Sequence, residues 1–424
     1  MNRQDAATHR DPHRWMVFFA ICLVYFFVYF HRVSTSVIVK DLLDAFHTTA
    51  TALGFMSSMY FYIYALEQPL VGYLSDKLGP RRVIGWWSVV AAIGCFIFAA
   101  APGILWASFG RALIGFGVGG VYVPAIKAFS LWFEKKHFAT MLGFLMSVGN
   151  FGAVIATTPL AWAADSYGWR ATFLLIGAIT LVLSVVTFKF TRDHDISREK
   201  NNPDCGGDSG CDPGSNPPFF QVLASWRFWI ISIIFFGIYG TVITLQGLWA
   251  TPFLMTALNI ERIPASRLNM LIPIGVIIGS PLVGWLIDSF SLNKRKTLAV
   301  IVILYSVTWA GIIFFSTSLG AIGISLVFLV MGIITGGFIS TLWGFVRDTT
   351  STEIFGLTSG MLNPAPFFGV AVFQVLTGAI LDKAGRIGEL YPLPAFKNAF
   401  MICFISTLFC LVLTFFLGRS KEPV

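Results

Sequence analysis

Charged residues are scarce in this 424-residue sequence. Only 12% of its residues are Asp, Glu, Lys or Arg, whereas 56% are hydrophobic. Soluble domains normally carry about 25% charged residues, so this composition argues against a soluble protein and predicts a polytopic membrane protein. The basic residues behind the net charge of +8 lie in short loops between apolar runs. That distribution is typical of membrane-protein loops and excludes a nucleic-acid-binding face.

Several chemical signatures are also missing from the sequence. It contains no GxxxxGK[ST] nucleotide-binding loop, no HExxH motif and no Ser/His/Asp grouping. Cys205 and Cys211 lie in a polar stretch with neither a histidine nor a second cysteine pair beside them, so no metal site is expected there. We therefore expect neither an enzyme nor a bound cofactor or metal. A proton gradient, or a gradient of another ion, is the expected energy source.

Long apolar runs dominate the rest of the sequence. A bilayer core of about 30 Å requires roughly 20 helical residues, and twelve runs are near that length. They cover 15–39, 52–73, 83–101, 104–126, 138–162, 169–190, 228–256, 266–288, 297–315, 319–343, 354–381 and 396–417. The sequence thus predicts an all-α membrane protein with 12 transmembrane helices.

The twelve runs divide into two halves around a polar stretch rich in Asp, Gly, Pro and Asn. We expect an N-terminal six-helix bundle over 1–190, a cytoplasmic linker over 191–226 and a C-terminal bundle over 227–424. "GYLSD" at Gly72 recurs as "GWLID" at Gly284, each at the end of the second run of its half. The repeat predicts two pseudo-symmetric bundles around a central cavity.

The basic residues concentrate in alternate loops, which predicts the orientation of the chain. One set of loops carries most of the Lys and Arg, including both ends of the chain, and the other set is short or mixed in sign. Both termini are therefore expected on the cytoplasmic side of the cell's inner membrane.

The stretch "GYLSDKLGPRR" resembles the loop signature of the major facilitator superfamily. Its matching positions are Gly72, Leu74, Asp76, Lys77, Gly79, Arg81 and Arg82, with a weaker copy at Asp288. The resemblance implies that these residues gate the cytoplasmic side. The glycines would permit a close helix approach and a tight turn, and Asp76 would pair across the seam. The alternative interpretation is a solvated loop.

The first run resembles those of the organic-anion branches of that superfamily, the sialin-like symporters and the organophosphate antiporters. Trp15, Tyr25, Tyr29 and Arg32 match their arrangement. The resemblance implies that Arg32 binds the anionic group of a substrate. Arg32 also precedes Lys40 by eight residues, or about 12 Å of helix, so it lies inside the membrane and should face the cavity. The alternatives are snorkelling outward or binding backbone carbonyls.

Three further ionisable residues lie deep in the predicted spans of the first half. Arg111 is predicted at a similar depth to Arg32 and would form an anion clamp with it, or would tie the fourth helix to its neighbours. Glu67 and His31 are candidates for proton coupling. The alternatives are a pair between Glu67 and Lys127, and a packing role for His31, which points about 100° away from Arg32 on a helix.

This chain differs from each of the two organic-anion branches at one characteristic position. Sialin-like symporters resemble one another in a Glu seven residues after the fourth-helix Arg, where this chain has Val118. Organophosphate antiporters resemble one another in a basic residue on the seventh helix, and the seventh run here has none.

Further polar or aromatic residues are candidates to line the cavity, with helix packing as the alternative for each. They are Tyr29, Tyr60 and Tyr64 in the first half and Gln246, Trp249, Asn363 and Phe367 in the second.

The expected function is secondary active transport of a small organic anion or zwitterion by alternating access, as proton-coupled uptake. The alternatives are an exporter of drugs or metabolites and a membrane sensor or enzyme. The expected partners are a small-molecule solute and the lipid bilayer, and a monomer is expected.

Overall fold

The computed structural model describes residues 13–133, 135–191, 222–350, 355–386 and 390–417. These residues form twelve helical spans, which we number α1 to α12. Those of the first half are α1 (His13–Val33), α2 (Ala50–Leu78), α3 (Pro80–Ala100), α4 (Ile104–Trp132), α5 (Lys135–Ile155 and Thr158–Tyr167) and α6 (Trp169–Phe190). A 3-10 turn, Ser34–Val37, and a short helix, Val39–Ala45, follow α1.

The second half repeats this plan. Its spans are α7 (Trp226–Thr244, a π turn at Leu245–Trp249, and Ala250–Leu258), α8 (Arg262–Asn269 and Leu271–Ser289), α9 and α10 (together Lys294–Thr349), α11 (Phe355–Leu362 and Pro364–Ala384) and α12 (Leu393–Phe416). Most of the predicted linker, residues 192–221, lies outside the described residues.

Length and composition support twelve membrane spans. In the described ranges, nine helices are long and apolar enough to cross a membrane, and the bent helix α5 makes a tenth. One of the nine is the 56-residue helix Lys294–Thr349, which breaks at Gly320 (φ 59°) into α9 and α10. The remaining span is α2, 29 residues long, whose Tyr, Ser and Glu residues make it less apolar. The predicted all-α architecture of 12 transmembrane helices is confirmed.

Two glycines with positive φ mark tight turns between spans. Gly79 (φ 83°) ends α2 and precedes Pro80, the first residue of α3. A side chain in this left-handed region is strained, and proline suits the first helical position. Gly320 gives α9 and α10 the same kind of turn. The sequence therefore specifies both connections locally.

Glycines also permit close packing inside each half. A Cβ added at Gly115 of α4 would lie 2.3 Å from the carbonyl oxygen of Tyr60 on α2. A Cβ added at Gly332 of α10 would lie 2.1 Å from the carbonyl oxygen of Ile272 on α8. The α4–α2 and α10–α8 contacts occupy equivalent places in the two bundles, so the pseudo-symmetry extends to backbone packing.

The two bundles meet most tightly at one end. We call the end where α1 begins and α12 finishes the terminus side, and the opposite end the far side. Near the far side, α2 packs directly on α11: a Cβ added at Gly54 would lie 2.3 Å from the Gln374 carbonyl oxygen, and one at Gly378 would lie 2.4 Å from the Ala50 oxygen. The far side is therefore closed.

The helices α1 and α7 lose regular α-helical geometry at matching places. The 3-10 turn Ser34–Val37 follows α1, and the π turn Leu245–Trp249 interrupts α7. The Asn269 amide links the two irregular turns, because it donates to the Ser36 hydroxyl (3.2 Å) and to the Gln246 carbonyl oxygen (3.1 Å). A Cβ added at Gly247 would also lie 2.5 Å from the carbonyl oxygen of Arg32, near the end of α1. Turns of this kind are frequent at functional sites. Here they bring α7 against the α1 residue that carries the candidate anion-binding side chain.

Candidate functional site

A cavity of about 580 Å³ lies between the two bundles. It is lined by residues of α1, α5, α7, α8 and α10, including Gln246 of the π turn in α7. Its polar lining residues are Tyr29, Arg32, Thr140, Ser147, Asn150, Tyr239, Gln246, Ser280, Thr335 and Ser340. Thr140 and Ser340 lie near the terminus-side ends of their helices. The cavity thus extends from the level of Arg32 towards the terminus side.

Arg32 lies in a cage of aromatic side chains at the inner end of this cavity. Its guanidinium carbon is 4.4 Å from the ring centre of Tyr29, 5.0 Å from Phe367 and 5.2 Å from Tyr64. Its NH1 group donates a hydrogen bond of 3.2 Å to the Tyr239 hydroxyl. Because Phe367 and Tyr239 belong to the second bundle, Arg32 contacts both halves of the protein.

The charge of Arg32 has no acidic partner within the described part of the chain. The side chain is only 4% exposed, and its buried Nε–H has no hydrogen-bond acceptor there. Cation–π contacts stabilise such a charge only partly, and an intramembrane cation costs several kcal/mol unless it is paired or hydrated. The planar guanidinium is therefore available to bind an anion with two parallel hydrogen bonds.

The structure places Arg111 away from the cavity. It is fully buried, it lies 5.0 Å from the ring centre of Tyr60, and its NH1 group donates a 3.1 Å hydrogen bond to the carbonyl oxygen of His31. The predicted clamp of two arginines is therefore not formed in this conformation. The alternative holds instead, because Arg111 ties α4 to α1.

His31 likewise faces the interior of the first bundle. Its Nε2 atom lies 3.7 Å from the Cys95 sulfur, and its ring contacts Phe27, Phe30 and Phe173. The side chain is fully buried and does not line the cavity. In this conformation His31 packs inside the first bundle, and its part in proton coupling stays a prediction.

The predicted substrate-binding residues divide into three groups. Arg32, Tyr29 and Gln246 line the cavity, while Tyr64 and Phe367 reach it by contacting Arg32. The others do not line it. Tyr60 donates to the Val28 carbonyl oxygen (2.8 Å), and Trp249 donates to the Thr377 hydroxyl (2.8 Å). Asn363 lies between the two segments of α11 and makes no side-chain capping hydrogen bond.

Glu67 is a buried carboxylate with one free oxygen. It is 5% exposed, and Oε2 accepts a 3.0 Å hydrogen bond from the Trp87 indole. Oε1 has no hydrogen-bond partner in the described chain. A Cβ added at Gly119 would clash with it at a distance of 1.6 Å. Gly119 therefore makes room for this carboxylate. The predicted alternative, a pair with Lys127, is not formed because Lys127 binds Asp76.

The signature residues lie at the end of α2, at Gly79 and at the start of α3, and their described contacts are inside the first bundle. Asp76 accepts a 2.7 Å bond from Lys127 of α4, and Lys77 lies 4.6 Å from the ring centre of Tyr73. A Cβ added at Gly72 meets nothing within 4 Å, so the close approach expected there is absent in this conformation. Arg81 and Arg82 are exposed at the start of α3. Asp288 lies in α8, and its side chain is outside the described part. Gating by the signature residues and by Asp288 stays a prediction.

Sequence reasoning missed most of the small polar residues of the cavity. They are Thr140, Ser147, Asn150, Ser280, Thr335 and Ser340. Ser and Thr in a membrane helix usually bond to their own backbone, as Ser147 does to Gly143 and Thr335 to Met331. Residue type alone therefore carries no signal for a cavity position.

Curated relatives match nearly the whole chain. A probable sulfoacetate transporter of Cupriavidus necator is 24% identical, over 90% of this chain and 89% of its own length. The hexuronate transporter of Escherichia coli K12 is 22% identical, over 88% of each. A probable L-galactonate transporter of the same strain is 23% identical, over 88% of this chain and 83% of its own.

Solved structures show the same fold. A bacterial homolog of the human lysosomal transporter Spinster, crystallised in an inward-facing and unoccupied conformation, matches with a TM-score of 0.77 and 15% identity over 96% of this chain and 97% of that one. Residues 21–373, which include Arg32, the aromatic cage and most of the cavity, match the Major Facilitator Superfamily. The chain is therefore a membrane transport protein that belongs to the Major Facilitator Superfamily.

Proposed function

We propose that this protein is a secondary active transporter that takes up a small organic anion by alternating access. The observation that carries the proposal is Arg32, a buried cation at the inner end of the cavity without an acidic partner in the described chain. An anion would supply the missing charge. The names of the relatives, transporters of sulfoacetate, hexuronate and L-galactonate, support an anionic substrate.

The lining of the cavity favours an anion over a zwitterion. An ammonium group would need a carboxylate or a cage of free aromatic faces. The described lining residues include no Asp or Glu, and the aromatic faces near Arg32 are already occupied by its guanidinium. The anionic end of a substrate is therefore the end that this site recognises.

We further propose that uptake is coupled to protons through Glu67. Its buried, half-satisfied carboxylate suits a group that gains and loses a proton during transport. Tyr64 lies one helical turn before Glu67 on α2 and contacts Arg32, so the two sites share a helix.

The basic terminus-side loops favour a cytoplasmic terminus side in the inner membrane, so the cavity would face the cytoplasm. We propose a monomer as the transporting unit.

Transport by the purified protein in liposomes tests the anion assignment. A panel of radiolabelled sugar acids, sulfonates, amino acids and organic cations would be offered with and without an inward proton gradient. Arg32→Gln should abolish uptake of the transported anion, while Lys189→Gln, an exposed control on α6, should transport normally. Normal transport by Arg32→Gln, or transport of cations alone, would contradict the proposal.

The proton assignment has its own variant. Glu67→Gln should lose accumulation driven by the proton gradient and should retain exchange of labelled for unlabelled substrate, because exchange requires no net proton movement. Gradient-driven accumulation by Glu67→Gln at the wild-type level would remove Glu67 from the coupling mechanism while leaving the anion site intact.

A further inference from the structure

The cavity contains a single formal charge. Among the lining residues that the structure describes, Arg32 is charged and every other one is neutral. Arg111 is turned away towards the His31 carbonyl. A separate, smaller chamber of about 380 Å³ at the terminus side shares Ser340 with the cavity and is lined by Lys294, Arg347 and Asp348, of which Lys294 binds Asp348 at 2.7 Å.

Gln246 is a neutral polar lining residue of the cavity, and its backbone lies beside that of Arg32. It lies in the π turn of α7, whose next residue, Gly247, contacts the Arg32 carbonyl oxygen. Its own carbonyl oxygen accepts a 3.1 Å hydrogen bond from Asn269, which fixes the backbone at this point. Gln246, whose side chain ends in an amide, is a lining residue of the cavity. It can both donate to and accept from a substrate.

From this arrangement we infer that the site selects anions that carry one negative charge, and that Gln246 is a specificity-determining residue for this selection. This inference rests on the proposed function and refines it. One carboxylate or sulfonate would neutralise Arg32. A second negative charge would lie in the same cavity, where the described lining residues include no second cation to pair with it, and an unpaired charge inside the membrane is costly.

The neutral part of the substrate should carry hydroxyl groups. Ser147 and Thr335 donate their hydroxyl protons to backbone carbonyls of their own helices. Their oxygen lone pairs remain free to accept hydrogen bonds from a substrate in the cavity. The amide of Gln246 can likewise donate to and accept from substrate hydroxyl groups. The predicted substrate is therefore a hydroxylated organic acid with one ionised group.

A pair of acids with the same carbon skeleton tests charge selection. Gluconate has one carboxylate and glucarate has two, and each would compete against the labelled anion that the liposome panel identifies. Wild-type protein should prefer gluconate by about tenfold or more. Gln246→Lys adds a second cation beside Arg32, so it should shift the ratio of the two inhibition constants towards glucarate by about tenfold. Gln246→Leu removes the amide without adding charge, so it should weaken gluconate without favouring glucarate.

The outcomes separate this inference from the proposed function. Glucarate binding as tightly as gluconate to wild-type protein would overturn single-charge selection while leaving an anion transporter. An unchanged ratio in Gln246→Lys, with a wild-type melting temperature, would overturn the role of Gln246. If Gln246→Lys does not fold, the wild-type ratio decides alone. Transport of no anion at all would overturn the inference together with the proposed function.

Discussion

The far side and the terminus side of this protein are held together in different ways. On the far side, hydrogen bonds and ion pairs join the two bundles. On the terminus side, the ion pairs of the described chain join helices of the same bundle: Asp76 with Lys127, and Lys294 with Asp348. The polar contacts between the bundles that stabilise this conformation therefore lie at the far side, and the cavity extends away from them.

Asp382 is the centre of the far-side contacts. This α11 carboxylate accepts hydrogen bonds from the backbone N–H groups of Ala50 and Thr51 (2.8 Å each), from the Tyr391 hydroxyl (2.7 Å) and from the Thr51 hydroxyl. It therefore caps the N-terminus of α2 from the other bundle, where a negative charge is favoured. Burial, and then the Asp382 carboxylate, raise the pKa of Tyr391, so its hydroxyl stays protonated as a donor.

Two arginines add ion pairs across the same seam. Arg262 of α8 binds Asp41 and Asp165 of the first bundle, each at 2.8 Å, and Arg386 binds Asp44 at 2.7 Å. Between them and the cavity, the Ser36 and Thr251 hydroxyls lie 3.1 Å apart. Alternating access would require all of these contacts to break when the far side opens.

A covalent bond across the far side should have the largest effect. Ser36→Cys with Thr251→Cys places two thiols where the hydroxyl oxygens are 3.1 Å apart, within reach of a disulfide. Oxidation should reduce transport more than about tenfold, because the far side can no longer open, and reduction should restore it. Substrate flux into liposomes measures the effect. Ser36→Cys alone and Thr251→Cys alone are the controls, and all of these variants also have Cys205 and Cys211 replaced by Ser. Full transport by the oxidised double variant would show that this seam does not open.

Removing the charge of Asp382 should have the next largest effect. Hydrogen bonds to a charged group contribute about 1.5–3 kcal/mol each, so Asp382→Asn should increase the far-side-open population about tenfold. The labelling rate of a single cysteine at Thr251 by an impermeant maleimide reports that population. Asp44→Asn is the matched control, since its ion pair with Arg386 is half exposed. Equal labelling rates in Asp382→Asn and wild-type protein would contradict the capping role.

Removing the charge of Asp76 should have the smallest effect on this equilibrium. Its side chain is 75% exposed and binds Lys127 within the same bundle, and exposed ion pairs contribute about 0–1 kcal/mol. Asp76→Asn should change the same labelling rate less than about threefold. A change as large as that of Asp382→Asn would show that the terminus side also holds this conformation.

The sequence predicted the fold well because its signals are local. Apolar length, the glycine at 79 and the repeat of the signature sequence each report on one helix or one turn. The pairing of residues across the seam is not local. Asp382 follows an apolar run and has no motif, so nothing in the sequence pairs it with the start of α2.

The candidate site was predicted only in part for the same reason. Arg32 was identifiable because a charge inside an apolar run is unusual, and the structure places it in the cavity. Arg111 and His31 carry the same signal, yet they face the interior of the first bundle. Residue type and depth therefore identify buried polar groups, whereas helix rotation and packing decide which of them line the cavity.

Binding of the transported anion to purified protein is the most direct test of Arg32 as the anion-recognising residue. Wild-type protein, Arg32→Lys, Arg32→Gln and the control Lys189→Gln would be compared by calorimetry. Arg32→Gln should weaken binding roughly 30-fold or more, because one partner of a buried charge pair is lost. Arg32→Lys should give an intermediate affinity, because it keeps the charge and loses the planar fork. Binding by Arg32→Gln with the wild-type affinity would contradict the assignment of Arg32 as the anion-recognising group.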